Sequence, residues 1–197
     1  MRRSPVGFIV GSAALLIAAS ACAGTITGKV SIPHARTLAD IVVYVDQAPG
    51  TFAPPKDHVV MDQRNLAFVP HVLPVVVGTT VDFLNSDQVL HNVFTPDKCA
   101  GKFNLGTWPK GEKRSVKFDK VGCSAALLCN VHPEMEGFVV VLLNPYAGVS
   151  DKTGLYSIPN VPEGKYKVKV WNRKFLETTA DVVVPKTGDA KCDLVLK

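Results

Sequence analysis

Runs rich in β-branched and aromatic residues, several of which alternate with polar residues, are the feature that most restricts the fold of this chain. Five of these runs span residues 41–45, 72–78, 80–85, 137–144 and 165–171. A period of two in Val, Ile, Phe and Tyr is typical of strands with one buried face, and Gly, Pro, Asn and Asp separate the runs as turn residues. After residue 23 no amphipathic helix is evident, and residues 123–129 allow at most one helical turn. The sequence therefore predicts an all-β protein, a sandwich or barrel of short strands.

Two segments rich in Pro, Gly and Asp, residues 46–57 and 144–154, divide the chain and are expected to be connectors. The block between them, residues 58–144, is long enough for an independent small β-sandwich. The outer pieces, residues 24–48 and 147–197, each contain too few strands to bury a core alone. We therefore expect the middle block to be inserted in, or followed by, a second small β-sandwich.

The first 23 residues have the layout of a secretory signal. A basic start (Arg2, Arg3) precedes an apolar run and the small-residue site Ala21-Cys22-Ala23, and the apolar run is too short for a good membrane span. Cleavage after Ala23 is expected, with lipid attachment at Cys22 as the alternative. Export to the periplasm or outside the cell implies an oxidising compartment, where spare thiols tend to pair.

Charge and motifs exclude several classes of function. The formal net charge is +5, or +3 without Arg2 and Arg3, and no cluster of Lys and Arg is interleaved with aromatic residues as in nucleic-acid binding proteins. No segment after residue 23 is long and apolar enough to cross a bilayer. No nucleophile–base arrangement, H-E-x-x-H or G-x-S-x-G pattern is present, so we do not expect an enzyme.

The segment LLCNVHPEMEG, residues 127–137, places a thiol, an imidazole and a thioether three residues apart, at Cys129, His132 and Met135. Copper that changes between Cu(I) and Cu(II) is held by one thiolate and two imidazoles with a distant thioether. The second imidazole has to come from elsewhere, and His91, at a strand end, is the candidate. Zinc is less suitable because its structural sites favour Cys and His, and an iron–sulfur cluster needs more thiols.

Each of these residues also has an ordinary explanation. Cys129 could pair with Cys99 or Cys123, His91 could be solvated on a strand edge, and Met135 could belong to the core. The three groups in C-x-x-H-x-x-M order, with an H-N pair upstream, favour the metal site. Asn92 could hydrogen-bond the backbone near residue 130 and tie the two ligand segments together, or be an ordinary polar residue at a strand end.

Residues 58–143 resemble a cupredoxin of the plastocyanin and amicyanin branch. The motifs that carry the resemblance are F-x-P before V-x-V-G-x-x-V-x-F-x-N, then H-N-V, and C-x-x-H-P-x-M, whose loop length is similar to that of amicyanin. The resemblance implies a Greek-key β-sandwich with one type 1 blue copper at one end and one-electron transfer between proteins. It also implies a redox partner such as a c-type cytochrome or a dehydrogenase. The ligands implied by the resemblance are His91, Cys129, His132 and Met135, with Asn92 bracing the loop that bears the cysteine.

The outer pieces are similar to the carboxypeptidase regulatory-like, transthyretin-like β-sandwich. The run D-x-x-G-x-Y-x-I-x-x-V-P-x-G-x-Y-x-V begins at residue 151, and residues 24–32 and 41–45 resemble the opening strands of the same module. The resemblance implies a structural or partner-binding role without chemistry of its own.

The remaining cysteines leave the pairing open. A Cys99–Cys123 disulfide near the metal end is expected, and the rival pairs join Cys192 to either of them. Three functions therefore stay in view at this point. They are an exported electron carrier, a copper-binding carrier or sensor that transfers metal rather than electrons, and an adhesion module in which the outer sandwich is the functional part.

Overall fold

A computed structural model of the protein describes residues 23–174 and 178–196. Strands are the main regular structure in this part of the chain, with one short 3₁₀ turn at Lys98–Ala100 and no α-helix among the residues described. The predicted signal segment, including Cys22, lies outside the described residues except for Ala23. No helix in the described ranges has the length and apolar character needed to cross a membrane.

Seventeen strands occur in the described ranges. Two precede the central block: β1 (Ala23–Ser31) and β2 (Val42–Val45). Nine form the central block: β3 (Val59–Gln63), β4 (Phe68–Val69), β5 (Val72–Val76), β6 (Thr79–Asn85), β7 (His91–Phe94), β8 (Asn104–Trp108), β9 (Lys113–Phe118), β10 (Ser124–Leu128) and β11 (Glu136–Leu142). Six follow it: β12 (Ala147–Val149), β13 (Leu155–Pro162), β14 (Gly164–Trp171), β15 (Thr179–Val184), β16 (Ala190–Lys191) and β17 (Leu194–Val195).

The central block is a two-sheet sandwich. One sheet has the order β5-β11-β10-β7-β8 and the other β4-β3-β6-β9. Large apolar side chains from the alternate positions of both sheets meet between them, among them Met61, Phe83, Trp108, Leu127 and Val139. This is the Greek-key cupredoxin sandwich expected for the block.

Strands from both sides of the central block make up the second sandwich. One of its sheets has the order β13-β1-β16 with β17 also paired to β1, and the other has the order β12-β2-β14-β15. Its core is built from residues on both sides of the central block, such as Ile26 and Val43 before it and Ile158 and Val168 after it. The few strands of each outer piece bury their apolar faces only by combining.

Two local expectations were wrong. Residues 144–154 were expected to be a connector, but they include β12, which pairs with β2 through Ala147 and Tyr44. Residues 123–129 were allowed a helical turn, but they contain β10, which pairs with β11. In both segments, pairing with a neighbouring strand overrides a weak local pattern.

The two sandwiches share an apolar interface. Val42 points away from the core that buries Val43, because successive strand residues face opposite sides, and it packs instead with Phe138, Val140 and Leu142 of β11. The rings of Phe138 and Trp171 lie 5.2 Å apart. This interface fixes the outer sandwich against the strand that follows the C-x-x-H-x-x-M segment.

Ion pairs lie beside this interface. His71 Nδ1 is 2.9 Å from Asp40 Oδ2, and Arg173 Nη2 is 2.8 Å from Glu136 Oε2. The hydrogen bond with Asp40 raises the pKa of His71 against the opposing effect of burial. Both pairs join one sandwich to the other at the end where β11 begins.

The Cys99–Cys123 disulfide is confirmed, with the two Cα atoms 5.5 Å apart. Its expected position near the metal end is wrong. Cys123 precedes the five residues of β10 and Cys129 follows them, which at about 3.3 Å per residue puts the two cysteines at opposite ends of the sandwich. Cys192 is a free, buried thiol in the second sandwich.

Replacement of both disulfide cysteines, Cys99→Ser with Cys123→Ser, is expected to lower the free energy of unfolding by about 3 kcal/mol, because the sequence separation is 24 residues and an unlinked loop of this length gains entropy on unfolding. Urea unfolding measures the loss. Copper binding should be unchanged, since the disulfide lies at the other end of β10. A double variant as stable as the original chain would contradict the prediction.

Asp82 is a buried carboxylate on the outer side of the central block, 3% exposed. Burial alone would raise its pKa, but hydrogen bonds from Lys113, Ser115 and His58 outweigh burial and lower the pKa from 3.8 to about 2. A lowered carboxylate pKa gives stability that is present above pH 3.8 and is lost as the pH falls through about 2.

Asp82→Asn is therefore expected to cost about 2 kcal/mol of unfolding free energy at pH 7. The difference between the two proteins should shrink as the pH is lowered toward 2. Urea unfolding at a series of pH values measures both effects. A difference that stays constant across the acid range would show that Asp82 stabilises the fold by packing rather than by charge.

Candidate metal centre

The candidate metal centre lies at the end of the central sandwich where β7 begins and β10 ends. His91 is the first residue of β7, and Cys129 directly follows β10. These two strands are antiparallel neighbours that pair at Leu128 and Phe94. His132 lies in the loop between β10 and β11, and Met135 ends this loop. Hydrogen-bonded strands thus bring His91 to a loop that is distant from it in sequence.

The side chains of His91, Cys129 and His132 converge. One ring nitrogen of each histidine and the sulfur of Cys129 all lie within 4.8 Å of one another. His91 Nδ1 is 3.1 Å from His132 Nδ1, and that nitrogen of His132 is 3.9 Å from Cys129 Sγ. The two Nδ1 atoms therefore point at the space beside the sulfur.

Burial differs among the four predicted ligands. His91 is fully buried, Cys129 is 3% exposed and Met135 is 1% exposed, whereas His132 is only partly buried. Met135 belongs to the same buried cluster as Cys129, and its backbone N–H donates to the carbonyl of His132 in a tight turn. His132 is therefore the group through which the site meets solvent.

Asn92 joins the two segments that carry the cluster. Its Oδ1 accepts a hydrogen bond from the backbone N–H of Asn130 at 3.2 Å, which is the bond that the sequence suggested. Its amide nitrogen donates to Asn104 Oδ1 and to the carbonyl of Gly106. Its backbone N–H lies 3.4 Å from Cys129 Sγ. The sulfur is therefore tied to β7 by a backbone donor.

Asp87 is a residue near the site that the sequence analysis missed. Its Oδ2 is 2.8 Å from Nε2 of His91, four residues later. Burial raises the pKa of Asp87, but hydrogen bonds from Leu66, His91 and Asn65 outweigh this effect and hold the pKa below its usual value. The sequence does show an acidic residue four positions before His91. It does not define the shape of the loop that contains this residue, so the contact could not be predicted.

Exposed apolar side chains precede two of the clustered groups in sequence, and another lies in the turn that is hydrogen-bonded to Asp87. Val89 and Leu90 immediately precede His91, and Val131 immediately precedes His132. They are 45%, 51% and 43% exposed, and Leu66 in the β3–β4 turn is 44% exposed. We call these four residues the apolar patch. Apolar groups exposed together are typical of a protein interaction surface.

The donor set fits copper. Two imidazole nitrogens and a sulfur converge, and a buried thioether lies in the adjoining cluster. This mixture of soft and intermediate donors suits a copper ion that changes oxidation state, whereas Mg²⁺ and Ca²⁺ prefer oxygen ligands. The cluster contains no carboxylate ligand, since Asp87 contacts His91 on the ring nitrogen that faces away from His132.

Comparison with known proteins gives one family match. Residues 55–142 match the model of copper-binding proteins of the plastocyanin/azurin family. No curated protein sequence is a significant match to this chain.

Several solved structures are similar to part of the chain. A copper-containing nitrite reductase from Thermus scotoductus SA-01 is 27% identical over 49% of this chain and 25% of its own, with a TM-score of 0.41. A mutant of amicyanin in its oxidised state is 29% identical over 43% of this chain and 81% of its own, with a TM-score of 0.39. A purple cupredoxin from Nitrosopumilus maritimus is 26% identical over 42% of this chain and 98% of its own, with a TM-score of 0.38. This chain thus spans about a quarter of the nitrite reductase.

Proposed function

Residues 55–142 belong to the plastocyanin/azurin family of copper-binding proteins, and from this premise we propose that the chain is an exported type 1 blue copper protein that carries single electrons between redox proteins. The observation that carries the proposal is the convergence of His91, Cys129 and His132 at one end of a rigid sandwich. A bound copper ion would supply a reversible one-electron change between Cu(I) and Cu(II).

The proposed ligands have separate roles. Cys129 would provide an anionic sulfur to a bound copper ion, and His91 and His132 would each provide an imidazole nitrogen. Met135, which is buried in the same cluster as Cys129, would offer a weakly bound thioether. Asn92 holds the cysteine-bearing loop to β7 through the Asn130 N–H. Strand pairing and this amide bond keep the donors close to one geometry, which limits the rearrangement that accompanies each electron transfer.

The surface of the site supports exchange with another protein. His132 is the least buried of the four proposed ligands, and Val131 beside it belongs to the apolar patch. A partner that covers this patch would exclude water and come close to the His132 ring. We propose a redox protein of the periplasm, such as a c-type cytochrome or a dehydrogenase, as this partner.

Copper(II) titration of the chain without residues 1–23 tests the proposal. We expect one equivalent to bind and to produce intense absorption in the visible range, with the narrow copper hyperfine splitting of a type 1 site in the electron paramagnetic resonance spectrum. A pale complex with ordinary hyperfine splitting would contradict an electron carrier.

Kinetic measurements then separate the electron carrier from a copper-binding carrier or sensor. An electron carrier exchanges electrons rapidly between its two oxidation states and retains Cu(I) against a chelator. Ready release of Cu(I) would favour metal transfer instead. The nearly complete burial of His91 and Cys129 favours retention.

A further inference from the structure

The carboxylate of Asp87 is hydrogen-bonded to two separate segments of the central sandwich, the β3–β4 turn and the start of β7. Its Oδ2 accepts from His91 Nε2 at 2.8 Å and from the backbone N–H of Leu66 at 2.9 Å. Its Oδ1 accepts from the backbone N–H of Asn65 at 2.7 Å. The side chain is 14% exposed. Three donors on two segments thus share one carboxylate.

The backbone that receives Asp87 is held in an uncommon conformation. Asn65 and Leu66 have φ angles of 55° and 57°, in the left-handed region. They form the two central residues of a turn closed by mutual backbone hydrogen bonds between Arg64 and Ala67, at 2.9 and 3.2 Å. A leucine in this region is strained, so the surroundings have to stabilise it. The Asp87 carboxylate does so by accepting from both N–H groups.

The contact with Asp87 also determines which nitrogen of His91 is available to a metal. A neutral imidazole carries one proton, and a carboxylate 2.8 Å from Nε2 holds that proton there. Nδ1 then carries the free lone pair, and Nδ1 is the atom that lies 3.1 Å from His132 Nδ1. Because His91 is fully buried, water cannot compete for either nitrogen.

We propose that Asp87 is a positioning residue that keeps the proton of His91 on Nε2, presents Nδ1 to the metal, and fastens this ligand to the Asn65–Leu66 turn. The inference rests on the proposed copper function and deepens it. The negative charge hydrogen-bonded to His91 favours the more positive Cu(II) over Cu(I). Leu66 of the apolar patch is thereby connected to a ligand through one carboxylate.

Nitrogen-15 NMR of the metal-free protein tests, without any copper, whether Asp87 keeps the proton of His91 on Nε2. The His91 ring should show a single tautomer, with the proton on Nε2, and Asp87→Asn should weaken that preference. Asp87→Glu should restore it at least in part, because glutamate keeps the charge. A His91 ring with its proton on Nδ1 in the unsubstituted protein would overturn the proposal whether or not any variant folds.

Copper affinity tests whether Asp87 presents His91 to the metal and favours Cu(II) over Cu(I). Asp87→Asn should lower Cu(II) affinity about 10- to 100-fold and Cu(I) affinity less, so that the equilibrium shifts toward the reduced form. Glu134→Gln is the matched control, since it removes an exposed carboxylate from the loop that carries His132 and Met135. Equal affinities in the Asp87→Asn and Glu134→Gln proteins would overturn the proposal.

The two proposals fail in distinguishable ways. If the unsubstituted chain binds copper without a type 1 spectrum, the electron-carrier function fails, while the tautomer measurement still decides the role of Asp87. If the type 1 spectrum is present and Asp87→Asn changes neither the tautomer nor the affinity ratio, only the inference about Asp87 fails.

Discussion

Cys129→Ser is expected to abolish the intense visible absorption of the copper-loaded protein. The absorption of a type 1 site arises from charge transfer between the thiolate sulfur and Cu(II), and a serine oxygen does not provide this transition. Cu(II) affinity should fall as well, because a serine hydroxyl stays protonated at neutral pH whereas a cysteine thiolate is an anionic ligand. Visible absorption during copper titration measures both changes.

The fold of the Cys129→Ser protein should be retained. The residue is 3% exposed, and a serine oxygen could accept the hydrogen bond from the Asn92 backbone N–H that the sulfur receives. Cys192→Ser is the matched control, because Cys192 is the other free and buried thiol in the described part of the chain and lies in the second sandwich. Visible absorption that survives Cys129→Ser, or that disappears in Cys192→Ser, would place the thiolate ligand elsewhere.

The sequence predicted much of the candidate site because three of its residues are local. Cys129, His132 and Met135 share one short loop, so their order and spacing are visible without a fold. His91 was identified only because it follows a strand and precedes Asn92 in a pattern with a known resemblance. The convergence itself depends on the pairing of β7 with β10, which strand patterns alone do not define.

Asp87 could not be identified in this way. Its contacts depend on the left-handed conformation of Asn65 and Leu66, and neither residue is a glycine that would signal such a turn. The distance between Asp87 and the β3–β4 turn in sequence hides the three hydrogen bonds that meet at its carboxylate. The same limit explains why the disulfide was wrongly expected near the metal end, since its position depends on the direction of β10.

The all-β class was predictable from the period-two pattern, but the mixing of early and late strands in the second sandwich was inferred only from strand number. β12 is the strand that the sequence analysis most clearly failed to predict. It is three residues long and has Gly148 at its centre, where a side chain would collide with the backbone of Ser157. A strand that needs a glycine for close packing loses the alternation by which strands are recognised.

Phe138→Ala is expected to have a large effect on stability, although Phe138 lies away from the metal-binding side chains. Phe138 is 7% exposed, lies in the interface between the sandwiches, and packs against Trp171 at 5.2 Å and His71 at 5.8 Å between ring centroids. Removal of a buried phenylalanine ring costs about 3–5 kcal/mol through lost burial and the cavity that remains. Urea unfolding measures this loss.

The same substitution should also uncouple the two sandwiches. In the unsubstituted chain the shared apolar interface couples them, so amide hydrogen exchange and copper absorbance should report one common unfolding transition. In the Phe138→Ala protein, strands β12–β15 should exchange at lower urea than the strands around Cys129. Val183→Ala is the control, because Val183 is 61% exposed on β15 and should change stability by less than about 0.5 kcal/mol. A loss below about 1 kcal/mol, with coincident transitions in both proteins, would mean that the ion pairs His71–Asp40 and Arg173–Glu136, rather than the aromatic contact, hold the outer sandwich beside the ligand loop.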